Sequence, residues 1–276
     1  MLAGVGFDMR QAIAGGIDAL VNGHLPETQY QILASVALSQ IEELRSGNRG
    51  KDEVLAIIAH ELRSPLASIE SAIGVLRQPS GEEDAVRQRM HELIERQVRQ
   101  MGRLVADLLD VSRVNCGQLR LQRDRIDLHA VLTNAIETVE LGIRERRQRL
   151  TTLLPGCDRW LLGDVGRLEQ VFVNLLANAS KYTDAGGELA LSLTVCEQEA
   201  VVRVRDSGVG IGADALPHIF DLFTQGDPAA ARSRSGLGVG LALVRSIVEL
   251  HGGSVTAASA GIGQGSEFTV RLPFAA

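Results

Sequence analysis

The apolar residues Leu55, Ile58, Leu62, Pro65, Ile69, Ala72 and Leu76 follow one another at alternating spacings of four and three. That is the seam of one helix in a heptad frame, with Leu55 at position a and Ile58 at position d. The run Gln78-Pro79-Ser80-Gly81 interrupts it with turn-forming residues. The alternation resumes through Met90, Ile94, Gln97, Met101, Leu104, Leu108 and Val111, where Gln97 is the polar member. Two long helices with a short break between them predict an antiparallel helical hairpin. Each apolar stripe is too long for one partner helix to cover. The pattern therefore predicts a dimeric four-helix bundle built from two chains.

Past Asn115-Cys116-Gly117 the period changes. Asp127–Gln148 reads as a helix with Asp127 as its N-cap, and Leu150–Leu154 and Trp160–Leu162 read as short strands. Asp164–Tyr182 has the pattern of a strongly amphipathic helix. In Glu188–Val195, Leu189, Leu191, Leu193 and Val195 point to one face. Val201–Asp206 follows the polar turn Glu197-Gln198-Glu199, which makes the pair a β-hairpin. Gly238–His251 is a further helix, stopped by Gly252-Gly253. Ser254–Ala258 and Glu267–Leu272 complete an antiparallel or mixed sheet covered by helices. The first residues carry the turn signals Gly15-Gly16, Asn22-Gly23 and Pro26, with at most a short helix around Arg10–Val21. The fold class expected is thus all-α followed by α+β, divided as segment 1–29, a helical hairpin 30–117 and an α/β sandwich 118–276.

Composition narrows the function classes. The chain has 276 residues, with Lys plus Arg 28 and Asp plus Glu 34, a net charge of −6. That balance argues against a nucleic-acid partner, whose phosphates need an excess of basic side chains. Aromatics are 3% of residues and apolar residues 45%, so the core is aliphatic. Cys116, Cys157 and Cys196 are widely spaced and odd in number, which fits a reducing compartment rather than a disulfide framework. No apolar run approaches the about 20 residues needed to span a bilayer, and the N-terminus lacks the basic start and long apolar centre of a secretory signal. The expectation is a cytoplasmic chain with no membrane segment.

The chemistry begins at His60. In the heptad frame it falls at f, on the outward face, with Glu61 beside it and Pro65 five residues on. A proline there clashes with the Glu61 carbonyl and bends the helix where the histidine sits. A lone exposed histidine says little, but the surrounding segment Ala59–Ile69, AHELRSPLASI, resembles the phosphoacceptor box of the sensor histidine kinases of two-component systems, H-E-L-R-[TS]-P-L. The resemblance implies that His60 is phosphorylated by ATP. A neutral imidazole nitrogen is a competent nucleophile at about pH 7. Glu61 would take or orient the proton of the other ring nitrogen. Ser64 stands where many members carry Thr or Asn to position water for dephosphorylating the partner. Val54 replaces a frequent aromatic residue.

Asn174 and Asn178 are four apart and share a helix face. Leu175, Leu176 and Ala177 between them are apolar, which sets the pair at the edge of the core. The run Asp164–Thr183 resembles the N-box of the same kinases. It implies Asn178 as the Mg²⁺ ligand, Asn174 as support for the hydrated metal and the phosphates, Lys181 as a phosphate contact and Tyr182 near the nucleotide. Asp206-Ser207-Gly208-Val209-Gly210-Ile211 resembles the family's first glycine box. There Asp206 accepts from the adenine amino group, and Gly208 and Gly210 let backbone approach the base. Gly236-Leu237-Gly238-Val239-Gly240-Leu241 opens a helix and matches the second glycine box, where free N–H groups face phosphates. It is neither a dinucleotide fingerprint nor a P-loop. Thr224–Ser235, rich in Ala, Ser and Arg, suits a mobile lid with Arg232 and Arg234 reaching the γ-phosphate. Ile219–Phe223 resembles the F-box that anchors such a lid.

The second half also resembles the ATPase superfamily of gyrase, the Hsp90 chaperones and MutL, a Bergerat or GHKL-like fold. Those hydrolases carry a glutamate at the first N-box position, where this chain has Asn174, and an amide cannot act as a general base. The resemblance therefore implies a protein histidine kinase with ATP and Mg²⁺ as cofactors. Residues 30–117 would be its dimerisation and phosphotransfer domain, 118–276 its ATP-binding domain, and Asn115–Arg125 the hinge between them. The implied partners are a second copy of the chain and the receiver domain of a response regulator. A nucleotide-binding dimerisation module that signals by shape and a phosphatase-dominant protein are the alternatives.

Overall fold

The computed structural model describes residues 49–76, 84–116, 118–156, 160–224 and 237–275; side chains at 49–57, 60, 84 and 115 are not part of that description. The expected helix at Arg10–Val21, the break at Gln78–Gly81 and the lid residues after Thr224 lie outside the described residues. The chain divides into two compact units between Leu108 and Leu109.

The first unit holds α1 (Arg49–Leu76) and most of α2 (Asp84–Asn115). Of the seam read from the sequence, Ile58, Pro65, Ile69 and Ala72 of α1 and Ile94 and Val111 of α2 are buried. Ile69 and Ala72 of α1 pack with Ile94 of α2, bordered by Ile73, Leu76, Met90, Leu93, Val98 and Met101. Pro65 sits inside α1 and is buried. It removes the donor that would serve the Glu61 carbonyl. The Ser68 and Ser71 hydroxyls donate to the carbonyls of Ser64 and Ala67, 3.1 and 2.9 Å away.

The second unit begins with the last turns of α2 and continues through β1 (Asp124–Ile126), α3 (Leu128–Glu145), β2 (Arg149–Leu153), β3 (Leu161–Gly163), α4 (Val165–Tyr182), β4 (Glu188–Val195), β5 (Glu199–Asp206), α5 (Gly240–Leu250), β6 (Ser254–Ala258) and β7 (Ser266–Pro273). Five strands form one mixed sheet in the order β2-β4-β5-β7-β6. β2 runs parallel to β4, and the other pairs are antiparallel. β1 and β3 make a separate antiparallel ribbon. Leu191, Val204 and Phe268 lie side by side across three strands, as do Ala200 and Leu272 across two. This face packs on α3, α4 and α5 through Leu132, Phe172, Leu175, Leu176, Leu243 and Ile247.

Packing decides that α4 is helical. Val, Phe and Asn residues each cost a helix about 0.5 kcal/mol relative to alanine. Burying Val171, Phe172, Leu175 and Leu176, all 0% exposed, contributes about 1.5–3 kcal/mol apiece. Asp164 caps the start, its carboxylate accepting from the Arg167 N–H at 3.1 Å and the Gln122 N–H at 3.1 Å.

The structure corrects several boundaries. α3 ends at Glu145 rather than Gln148, because Arg147 adopts φ 55° and turns the chain out of the helix. Part of the expected hinge is strand: Asp124 and Arg125 pair with Gly163 and Leu162. The turn before β5 is shorter than expected, since Glu199 already pairs with Pro273. Among the described residues no helix is long and apolar enough to cross a membrane.

Candidate active site

Arg167, Gln170, Asn174, Asn178 and Lys181 recur along α4 at steps of three and four and share its polar face. The start of this stripe is occupied by structure. Asp110, 5% exposed, accepts from both Arg167 Nη1 and Gln170 Nε2, the latter at 3.1 Å. Gln170 Oε1 also accepts from Arg167 Nη1 at 2.8 Å. Asn174, Asn178 and Lys181 lie beyond this cluster. Asn174 and Asn178 are half-buried, whereas Ala177, read as part of an apolar run, is exposed. The Lys181 ammonium lies 4.8 Å from the centroid of the Tyr182 ring.

Asn174 Nδ2 is buried with no hydrogen-bond partner among the described residues. An orphan buried donor costs about 1–3 kcal/mol, so among the described residues this amide has a donor available for an acceptor that they do not supply. Gly240, the first residue of α5, faces this amide: a Cβ on it would stand 3.9 Å from Asn174 Cγ. Val239 supplies no side-chain cap to α5. The first N–H groups of α5 and the Asn174 amide therefore form a pair of donors suited to phosphate oxygens.

The base of the glycine segment is closed by backbone. The Phe223 N–H donates to the Gly238 carbonyl at 3.1 Å. Gly238 has φ 68°, and a Cβ there would meet the Thr224 carbonyl oxygen at 2.6 Å. Leu237 is buried and Leu241 packs at the border of the core. Phe220 meets Phe268 edge-on, with ring centroids 6.3 Å apart. Gly236, Arg232 and Arg234 lie outside the described residues.

At the other end of α4, Asp206, 5% exposed, closes β5. Its Oδ1 accepts from the Gly208 N–H at 2.8 Å, and its Oδ2 accepts from the Ser266 hydroxyl. A carboxylate offers about four acceptor positions, so these two bonds orient the group and leave capacity for a ligand. The Tyr182 carbonyl accepts from the Val209 N–H at 3.0 Å. It lies so close to Gly208 that a Cβ there would come within 2.3 Å of it. The structure thus brings Asp206, Gly208 and Tyr182 together, with Gly210 packed against the Gly261 carbonyl.

The remaining candidates are on α1 in the first unit. Glu61 is 8% exposed, which is more buried than a residue flanking an outward face would be. Ser64 is exposed one turn further on. His60 lies within the helix, but its side chain is outside the described residues.

Residues 163–276 match the family of histidine kinase-, DNA gyrase B- and HSP90-like ATPases, and residues 50–117 match the His Kinase A (phospho-acceptor) domain. The sensor histidine kinase RppB of Synechocystis sp. is 37% identical over 228 residues, 81% of this chain and 49% of that protein. The histidine kinase AdeS of Acinetobacter baumannii superposes with a TM-score of 0.59 at 26% identity, covering 79% of this chain and 98% of the AdeS chain. Full-length ShkA in complex with AMPPNP gives the same TM-score of 0.59 and 26% identity over 81% of this chain and 46% of its own. This chain belongs to the sensor histidine kinases of two-component systems. It spans about half the length of RppB.

Three features of this histidine kinase were not read from the sequence. Ser259 and Ser266 border the glycine-rich connection between β6 and β7, which braces the Asp206 loop. Ser259 Oγ accepts from the Ile211 N–H at 3.0 Å, and the Gly263 N–H donates to the Val209 carbonyl at 2.7 Å. The alternation of glycine at 261, 263 and 265 was the available signal. Gln148 is buried against the end of α4. His251, which the sequence pattern places at the end of a helix, is 8% exposed. Its Nε2 accepts from the Asp164 N–H at 3.0 Å, so Nδ1 carries the proton and donates to the Ile247 carbonyl at 2.7 Å. Burial lowers its pKa, outweighing the opposing effects of that carbonyl and Asp164.

Proposed function

We propose that this kinase phosphorylates itself on His60 with ATP and passes the phosphoryl group to an aspartate of a response-regulator receiver domain. The observation that carries the reading is the Asn174 amide, without a partner among the described residues, beside the N-terminus of α5, which Val239 does not cap. The pair offers donors for phosphate oxygens without offering a base to activate water. ATP would then be held rather than quickly hydrolysed, and its γ-phosphoryl kept for an external nucleophile.

In the transfer, a lone pair of the His60 imidazole attacks the γ-phosphorus. The bond from that phosphorus to the bridging oxygen breaks, and ADP leaves with the oxygen. Glu61 takes or orients the proton on the other ring nitrogen. Asn178 and Asn174 would hold a hydrated Mg²⁺, which when bound neutralises charge on the phosphates. Asp206 and the glycine loop bind the adenine end, and Lys181 meets a phosphate oxygen. The nucleotide in ShkA, a relative in fold and sequence, supports an adenine nucleotide here.

The phosphoacceptor match at 50–117 supports a homodimer formed through the helical hairpin. Ser64, exposed one turn after His60, presents a hydroxyl able to orient water for removing phosphate from the receiver. The reading includes a cytoplasmic location, where ATP is available as the donor. The test of the nucleotide site is titration with ATP and Mg²⁺: the wild type binds, and Asn178→Ala removes the dependence of affinity on Mg²⁺. Equal Mg²⁺ dependence in both proteins would remove Asn178 from its proposed role.

A further inference from the structure

Gln148 lies in none of the motifs, and the structure places it at the end of the helix that carries most of them. It immediately precedes β2 and is 8% exposed. Its Nε2 donates to the carbonyls of Ser180 at 2.9 Å and Thr183 at 2.8 Å, with a longer contact of 3.3 Å to that of Asp184. Its Oε1 accepts from the Ser180 hydroxyl at 2.7 Å. One buried amide thus uses both of its ends on the last turn of α4 and the residues just after it.

A helix leaves its last four carbonyls without partners inside the helix. In α4 the Ala179 carbonyl accepts from the Thr183 N–H at 3.1 Å, and the Tyr182 carbonyl accepts from the Val209 N–H at 3.0 Å. The Ser180 carbonyl is served by Gln148, with Arg146 Nη1 at a distant 3.4 Å. The end of α4 is therefore gripped from two sides. Gln148 holds one side, and the loop of Asp206, Gly208 and Val209 holds the other. The fit leaves little slack, since a Cβ on Gly208 would stand 2.3 Å from the Tyr182 carbonyl oxygen and one on Gly187 would stand 2.3 Å from the Thr183 methyl.

We infer that Gln148 is a positioning residue for nucleotide binding: it fixes the last turn of α4, and through the Tyr182 carbonyl it fixes the loop that presents Asp206 to the adenine. The inference rests on the ATP-site reading above. Gln148 touches neither the nucleotide nor the reacting atoms, so its loss acts on affinity and not on the chemical step. The disturbance lies at the base end of the site and weakens ADP and ATP by the same factor.

The experiment uses the full chain, with Gln148→Leu, Gln148→Glu and Ser180→Ala compared with the wild type well below the melting temperature of each. Gln148→Leu leaves the carbonyls without their donor. Gln148→Glu keeps an acceptor for Ser180 but sets a carboxylate against those carbonyls. Both are expected to raise the Kd for ADP and for ATP, and the KM for ATP, by about tenfold, while the rate at saturating ATP stays within about twofold. Ser180→Ala, which removes one bond and folds without strain, is expected to give a rise of about threefold. Unchanged affinities with a lowered melting temperature would make Gln148 merely structural and overturn the inference. So would a loss confined to ATP or a fall in the saturated rate. A wild type that binds neither nucleotide overturns the ATP-site reading itself, and the inference with it.

Discussion

Ser266 and Asp206, 60 residues apart in the chain, are joined by a hydrogen bond from the serine hydroxyl to Oδ2 of the carboxylate. They also stand opposite each other in the β5–β7 register. The bond fixes the rotation of a carboxylate whose other oxygen is already held by the Gly208 N–H. Ser266→Ala frees that rotation and removes a charge-assisted bond worth about 1.5 kcal/mol. Calorimetric titration is expected to show ATP binding weakened by about tenfold with the fold intact. Unchanged affinity would mean that Asp206 is oriented by Gly208 without help.

Gly208 and Gly240 separate folding from binding. At Gly208 an added methyl meets the backbone oxygen of Tyr182 at 2.3 Å, an atom that cannot move without shifting α4. Gly208→Ala is expected to lower both the melting temperature and the nucleotide affinity. At Gly240 the nearest atom is Asn174 Cγ at 3.9 Å, an ordinary contact, and alanine favours a helix over glycine by about 1 kcal/mol. Gly240→Ala is expected to melt no lower than the wild type and to bind ATP more weakly. Weakening there reports a ligand close to the start of α5.

Asp110 is the buried partner of Arg167, whose side chain is 14% exposed. Asp110→Ala strands a guanidinium in that site and is expected to destabilise the second unit by about 3 kcal/mol. Adding Arg167→Met removes the stranded charge and is expected to restore most of the loss. Urea unfolding followed by the fluorescence of Trp160, the chain's one tryptophan, measures both. A double variant no more stable than Asp110→Ala would mean that the charge is not the cause.

His251 makes stability depend on pH. Its pKa in the fold lies below the ordinary value of 6.5, chiefly through burial, with Arg123 lowering it further and Asp164 and the Ile247 carbonyl opposing. Between the folded and unfolded values the unfolded chain binds the extra proton, so stability rises with pH there. The neutral ring's contribution is complete above about pH 6.5 and is lost as pH falls toward the folded value. Urea midpoints are expected to drop on acidification through this window, and the drop should shrink in His251→Gln. An equal drop in the variant would assign it to carboxylates instead.

Much of this architecture could be read from periodicity, because long amphipathic elements repeat one simple rule. The seam through Ile58, Ile69 and Ala72 and the alternation of Leu189, Leu191 and Leu193 are buried as that rule requires. Short elements escaped it. Asp124–Ile126 has two exposed residues and one buried, too few positions to show a period. Gln148 follows the charged run Arg144–Arg147, which suits a helix by propensity; the φ of 55° at Arg147 and the bonds of Gln148 to the end of α4 that follow it are not visible in the sequence. The motif residues of α4 were visible because they lie close in sequence. Ser266 was not, because its relation to Asp206 exists only once two distant strands pair.

In the proposed reaction the γ-phosphoryl of ATP goes to the imidazole of His60. Incubating the chain with γ-labelled ATP and Mg²⁺ and following the label on the protein identifies the acceptor. The wild type is expected to acquire label that is lost in acid and stable in base, and His60→Ala is expected to acquire none. Label of the same kind and amount on His60→Ala would contradict the claim.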